Sequence, residues 1–512
     1  MAILTRRKFL RTGLNSMALA AASPLLFKSC AKNSKDGIFS GDTFYFDLFN
    51  ISHELIRDVL NTALSKGGDY ADLYFELTSS NSIVMEEHSV NRANSTMTMG
   101  MGVRVLNGDQ TGYSYTEDLA LSSMKKVAKA AAAIANSSAV AMDKEFTFLK
   151  NPEYYPVLSH WEDVNVKTRV NMLNALDEKI FSLDDRIKRA TLYMSDEEKY
   201  ILFVDSNGVM RGDYQPLTRM GASLVAEQNG KKEQNGDNYS IRNSVEFYTE
   251  EKLDILARRS VDLTTGLFSA VNAPVGEFPV VLAAGSSGIL LHEAIGHGME
   301  ADFNRKGISI FSDKINKKVA EDFVSIVDSG VDKNMRGSIN FDDEGHDSQQ
   351  TLLVENGIMR SYLHDKISAK HYDVDVTGNG RRESFKYQPL PRMRNTYMKN
   401  GPHTFDEIIE STSYGIYADQ FTNGQVNIGA GDFTFYIKSG YLIENGKMSK
   451  PIKDVNIIGN GPDVLKDITM VADDFKFSEG GWTCGKGGQS VPVSLGLPTC
   501  KVSAITVGGK NS

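Results

Sequence analysis

The sequence predicts an α+β protein: an N-terminal mixed α/β domain followed by a Gly-rich, mostly antiparallel β domain that carries one helix with two histidines. Three observations support this. The chain has 512 residues, more than one compact core usually supports. Of its 44 glycines, 29 lie from Gly276 onward and 15 before it. Helix-period and strand-period segments alternate through the first half, whereas short apolar runs with tight turns fill the second.

The first half reads as follows. Ser52 to Lys66 is an amphipathic helix, with Leu55, Ile56, Val59, Leu60, Ala63 and Leu64 at helical spacing and Gly67-Gly68 as the stop. Ala71 to Leu77 and Ser82 to Glu86 are strands. Val103 to Leu106, Asn107-Gly108 and the run to Tyr115 form a hairpin, since Asn-Gly accepts the positive φ of a type I′ turn. An Ala-rich helix runs from Glu117 to Ala135, and a second Asn-Gly hairpin centres on Asn207-Gly208. The polar stretch Asn229 to Asn238 reads as a loop or a long hairpin tip. A helix from Glu250 to Ser269 closes this half, and Asn272-Ala-Pro274 marks the boundary. Beyond it, Phe278 to Leu282, Thr351 to Glu355, Phe433 to Ile437 and Val502 to Val507 read as strands.

Composition excludes several classes of function. With 41% hydrophobic residues the chain is no disordered protein, and no apolar run of about 20 residues marks a polytopic membrane protein. The net charge of -9 and the lack of a basic, aromatic-interleaved stripe argue against a nucleic-acid partner. Three cysteines in this length cannot be a disulfide framework.

Residues 1–30 read as a twin-arginine export signal: Arg6-Arg7 in a basic segment, Phe9-Leu10 after the pair, then a mildly apolar stretch from Leu14 to Phe27. Cys30 at its end is a candidate lipid anchor, although Lys28 fits a lipobox poorly. Residues 31–45 read as a tether, 46–272 as the N-terminal domain and 273–512 as the C-terminal one. The expected location is the periplasm or the cell envelope of a bacterium.

The chemistry concentrates at His292-Glu293-Ala294-Ile295-Gly296-His297, where Ser286 or Ser287 is placed to cap a helix. The pattern H-E-x-x-x-H is one residue longer than the zincin motif, and composition alone yields about 0.01 such matches in a chain of this kind. At 100° per residue, positions i and i+4 lie about 40° apart on a helix, but i and i+5 lie about 140° apart. Both histidines reach one ion only if the helix bulges or unwinds between them; a π turn absorbs the extra residue, and Gly296 and Gly298 ease that distortion. The bland alternative is a helix end with two unrelated histidines.

A two-His metal site needs a third ligand and an open position. His346, His364, His371, His403 and many carboxylates are available, but Cys484 in Trp482-Thr-Cys-Gly-Lys486-Gly-Gly is the most telling candidate, with Lys486 placed to favour a thiolate. A buried thiol, or a disulfide with Cys500, is an equal alternative on these residues alone.

Several segments resemble the TldD/PmbA family. They are His292 to Asp302, Phe303 to Gly307, Asp342 to Gly345, Gly378 to Ser384, Pro391-Arg-Met393, Gly415-Ile-Tyr417, Gly424-Gln-Val426 and Cys484 to Val493. Their order is similar to that of the TldD, metal-bearing branch. The close match spans Gly276 to Gly509, with a looser one at Asp69 to Tyr74 and Gly102 to Val105. The resemblance implies a Zn2+ metallopeptidase with His292, His297 and Cys484 as metal ligands and Glu293 as the catalytic base. It further implies short or unfolded peptides as substrates, bound by strand addition in the lumen of a homodimer or of a heterodimer with a PmbA-like paralogue. The alternative is a non-catalytic, peptide-binding partner subunit. The export signal departs from the family's usual cytoplasmic setting. Arg381-Arg382-Glu383 has no derivable role beyond a structural or solvated ion-pair network.

Overall fold

A computed structural model describes residues 41–509. The export segment with Cys30, and the tether as far as residue 40, lie outside the described residues. Two compact units divide the chain after Ile51. The described part of the first is a helix, Asp42–Phe49, ended by Asn50 in the left-handed region at φ 51°. It begins inside the segment read as a tether, because the aromatic residues that signal it start only at Phe44.

The unit from Ser52 onward is mixed α/β with mainly antiparallel sheets, as predicted; the structure as a whole is 24% helical and 43% strand. Its first sheet is built from very long strands. Gln110–Thr116, Ser89–Asn107, Tyr70–Glu86, Ile187–Asp205 and Val209–Gln228 lie in that order, and Thr147–Phe148 and Lys231–Ile241 both pair with the last. Helices His53–Ala63, Val166–Leu183 and Glu250–Thr265 start where the side chains of Ser52, Asn165 and Thr249 each accept a backbone N–H three residues on. The faces of the last two helices that carry Leu173, Leu176, Ile180, Leu253 and Leu256 share a core with Leu192, Met194, Met220 and Leu224 of the sheet.

Three local readings change and a fourth is decided. Tyr70–Glu86 is one continuous strand, because the polar Thr78 to Asn81 segment is paired on both sides, with Ser95–Thr98 and with Asp196–Lys199. At the first hairpin Asn107 pairs with Gln110, so the turn residues are Gly108 and Asp109, and of these only Gly108 has positive φ, at 59°. That is the pattern of a type II′ turn rather than I′. The type I′ pattern appears instead at Asn229-Gly230, with φ values of 52° and 77°. Accordingly, of the two readings of the polar stretch, loop or long hairpin tip, the second holds: Asn229-Gly230 is the turn and Lys231–Ile241 the returning strand on the sheet edge, whose ladder with Thr218–Gln228 needs no apolar side chains. Finally, Ser286 and Ser287 do not cap a helix. Their hydroxyls donate to the Asp419 and Ala418 carbonyls of a neighbouring strand.

The second half holds a closed barrel. Cys500–Gly509, Gly276–Leu282, Tyr414–Val426, Asp432–Glu444 and Lys447–Asn460 pair in sequence, and Val455–Ile458 pairs back onto Thr506–Gly509. A separate sheet runs Ile358–Met359, Gln350–Glu355, Ile326–Ser329, Asn395–Met398, Gln489–Leu497 and Lys476–Phe477, with Trp482–Lys486 added as a hairpin partner of Gln489–Val493. One buried core draws on both, from Val280, Ile416 and Ile437 to Val354, Val493 and Leu495.

Buried ion pairs link the N-terminal sheet to the later half. Arg104 contacts Asp72 at 2.6 Å and Glu344 at 2.5 Å, all three being essentially unexposed. Arg382 donates to the Asp343 carbonyl at 2.7 Å and lies over the Tyr74 ring at 4.3 Å, while Arg381 donates to the carbonyls of Met393 and Pro492. The Arg381-Arg382 pair is thus structural and buried rather than solvated.

Candidate metal centre

Strand Gly276–Leu282 delivers the chain to Gly285, whose N–H donates to the Leu497 carbonyl. Gly288–Leu291 then forms one α turn, and His292–Gly296 continues it as one turn of π-helix with ordinary right-handed backbone angles at both histidines. This is the bulge that the five-residue spacing requires. Leu290, Leu291, Ala294 and Ile295 anchor the turn in the core, so the distorted segment is buried except at Glu293. The His292 and His297 rings meet edge to face with centroids 5.1 Å apart.

Cys484 arrives from the other sheet. Its strand turns at Gly487-Gly488, where φ values of 58° and 74° form a tight two-residue hairpin that pairs Cys484 with Val491. Arg392 pins this hairpin by donating from Nη2 to the Cys484 carbonyl at 2.5 Å. The ligand-type atoms of His292, His297 and Cys484 all lie within 4.8 Å of one another, and all three residues are buried. His346, His364, His371 and His403 are not part of this group. Cys484 and Cys500 are both free thiols, so the disulfide alternative is set aside. Burial pushes the Cys500 thiol up to about 12, which makes it inert.

The electrostatics suit a cation. Burial alone would raise the Cys484 thiol, but His292 and His297 beside it hold it well below its usual range. Lys486, read from the sequence as the thiolate's promoter, instead lies against Glu300 at 3.1 Å and Asp302 at 2.7 Å. Burial works against the His297 cation, yet Glu300 and the thiol push that imidazole well above its ordinary value. The Nδ1 of His292 is buried with no hydrogen-bond partner. A thiol held toward its ionised form between two imidazoles, one of them with an orphaned nitrogen, is a donor set that binds a borderline-soft divalent ion as its protons are released to solvent. The residues therefore fit a metal such as zinc.

Glu293 is not one of the three. Its Oε2 lies 3.8 Å from His297 Nε2, and its side chain keeps 18% exposure, so the carboxylate borders the donor set from the accessible side. Burial raises its pKa, with the two histidines opposing. Two further participants went unnoticed in the sequence. Glu300 Oε2 is 2.9 Å from His297 Nδ1, and burial is overcome by Lys486 and His297 to hold this carboxyl at about 2. Arg392 fixes the thiol's backbone. An acidic residue three positions after a histidine on a helical stretch was the available signal for Glu300. Nothing local pointed to Arg392.

Comparisons with known proteins agree with this architecture. Models of the PmbA/TldA metallopeptidase match in three parts: domain 1 at residues 71–135, the central domain at 159–268 and the C-terminal domain at 275–509. The class they define is a metallopeptidase. A Haemophilus influenzae protein named metalloprotease TldD homolog is 37% identical over 90% of this chain and 97% of its own. A Saccharolobus solfataricus protein named zinc metalloprotease TldD homolog is 27% identical over 86% of this chain and 97% of its own. Among solved structures, TldE from Thermococcus kodakarensis superposes with a TM-score of 0.70 at 16% identity, covering 89% of this chain and all of that one. A Thermotoga maritima structure does so with a TM-score of 0.72 at 21% identity and the same coverage. The chain belongs to the TldD/PmbA family of metallopeptidases.

Proposed function

We propose that the protein is a zinc-dependent peptidase that hydrolyses short or unfolded peptides, with His292, His297 and Cys484 holding the metal and Glu293 acting as general base. The observation that carries this reading is the three-residue donor set within 4.8 Å, bordered by a carboxylate that is not needed as a ligand. A purely structural site gains nothing from such a base and is normally closed by a fourth protein ligand. The name of the Saccharolobus relative supports zinc as the metal.

Zinc held by His292, His297 and Cys484 would supply Lewis-acid polarisation of the peptide carbonyl and would make the attacking water more acidic. Glu293 takes a proton from the attacking water as its oxygen adds to the carbonyl carbon, and returns it to the amine nitrogen as the C–N bond breaks. Burial raises its pKa, which favours taking the proton up. The buried histidines and thiol keep their places because the π turn and the Cys484 hairpin are both packed into the core.

Substrates bind as an added strand between two subunits, and the partner is a second copy or a PmbA-like paralogue; the fold shared with TldE supports the latter. Arg6-Arg7 and the residues after them support export by the twin-arginine route, with zinc loaded before translocation and Cys30 as a lipid anchor.

The test compares the parent with Glu293→Gln for zinc content and for cleavage of an unstructured peptide. Both hold one zinc per chain, and the variant is slower by about 10²–10⁴-fold. Equal cleavage rates, or peptide binding without turnover in the parent, would sink the peptidase reading in favour of a non-catalytic partner subunit.

A further inference from the structure

We propose that Glu300 and Lys486 are positioning residues that tie the two halves of the metal site into one unit. This rests on the reading of His292, His297 and Cys484 as ligands. The Glu300 side chain is fully buried, and its Oε2 lies 2.9 Å from His297 Nδ1. Accepting a hydrogen bond from Nδ1–H fixes the tautomer and the ring rotation, leaving Nε2 free to face Cys484 Sγ, which is 3.4 Å away. A lone buried carboxylate is costly, and the compensating charge here is Lys486, with Nζ 3.1 Å from the same Glu300 oxygen and its side chain 6% exposed.

The origin of that lysine is what gives the arrangement its meaning. Lys486 follows Cys484 by two residues on one strand, so the two side chains leave the same face of the hairpin. One goes to the metal cluster and the other to Glu300, which follows His297 by three residues. Lys486 is held in turn by Asp302 at 2.7 Å, the Pro391 carbonyl at 3.0 Å and the Phe303 ring at 4.3 Å. The hairpin that brings the thiol therefore also brings the ammonium group that pairs with the orienting carboxylate. A hairpin that is out of place loses both at once.

The test measures zinc dissociation constants by chelator competition, and the visible spectrum of the cobalt-loaded protein, for the parent, Glu300→Gln, Lys486→Met and the double variant. Each single change weakens zinc binding about 10–100-fold and alters the cobalt spectrum, and the double variant is no weaker than the worse single. A residue that merely supports the fold would lower apo-protein stability without moving the metal spectrum. Zinc affinity of folded Glu300→Gln within threefold of the parent, or additive effects in the double variant, overturns the proposal. Should Glu300→Gln fail to fold, Lys486→Met decides alone by the same threefold criterion. A parent that binds no zinc would overturn the metal reading itself, and this proposal with it.

Discussion

Gly461 offers a test of whether the π turn is what makes the metal centre. This residue opens a short helix, Gly461–Lys466, and a Cβ added to it would sit 2.0 Å from the carbonyl oxygen of Ala294 and 2.9 Å from its carbonyl carbon. Ala294 is the middle residue of the π turn, between the two histidines. Carbon–oxygen contacts do not ordinarily fall below about 3.3 Å, so Gly461→Ala requires the Ala294 peptide to retreat by about 1.3 Å. The obstacle is backbone on both sides, and no side-chain rotation relieves it. Overpacking of this kind costs about 1–3 kcal/mol, and a misplacement of about 1 Å in a catalytic constellation costs on the order of 10²-fold in rate. The assay is kcat/KM on an unstructured peptide with zinc content measured on the same sample. Gly266→Ala, whose new Cβ meets nothing within 4 Å, is the control and stays at parental activity. Parental activity and full zinc content in Gly461→Ala would refute the claim that the π turn's geometry is set by this contact.

Other consequences are as direct. Arg104→Met leaves Asp72 and Glu344 buried without their shared cation, and should cost about 3–5 kcal/mol in urea denaturation; a loss under 1 kcal/mol would contradict the burial argument. His364 is 4% exposed, and burial holds its pKa down to about 4. The unfolded chain takes up that proton first, so its contribution is fully present above about pH 6.5 and falls away as pH drops toward 4. The magnitude is about 3 kcal/mol, and His364→Phe should flatten that part of the stability profile; an unchanged slope counts against it. Replacing Arg6 and Arg7 by lysine should leave the protein in the cytoplasmic fraction, and undiminished export would exclude the twin-arginine route.

Local chemistry wrote much of the fold openly. Ser52 and the apolar stripe behind it mark the helix at His53–Ala63, and the structure starts that helix at this cap. The Lys231–Ile241 strand was illegible because an edge strand is held by backbone pairing, which polar side chains neither reveal nor prevent. Likewise the hairpin at Gly108 slipped by one residue relative to Asn-Gly. The register there follows the ladder between Ser89–Asn107 and Gln110–Thr116, which runs unbroken from Met101 opposite Thr116 to Asn107 opposite Gln110, rather than the preference of one dipeptide.

At the site the division is sharper. The five-position step from His292 to His297 is enough to demand a bulge or an unwound turn, since an undistorted α-helix would point the two rings about 140° apart. The sequence also placed Glu293 beside the first ligand. It could not by itself choose Cys484 over four other histidines or over a disulfide with Cys500, because those choices depend on which distant strand packs against the π turn. Only the folded chain brings Cys484 across 187 positions to His297, and turns Lys486 away from the thiol toward Glu300. Motif spacing is a property of one helix, whereas ligand completion and charge balance are properties of the packing between two sheets.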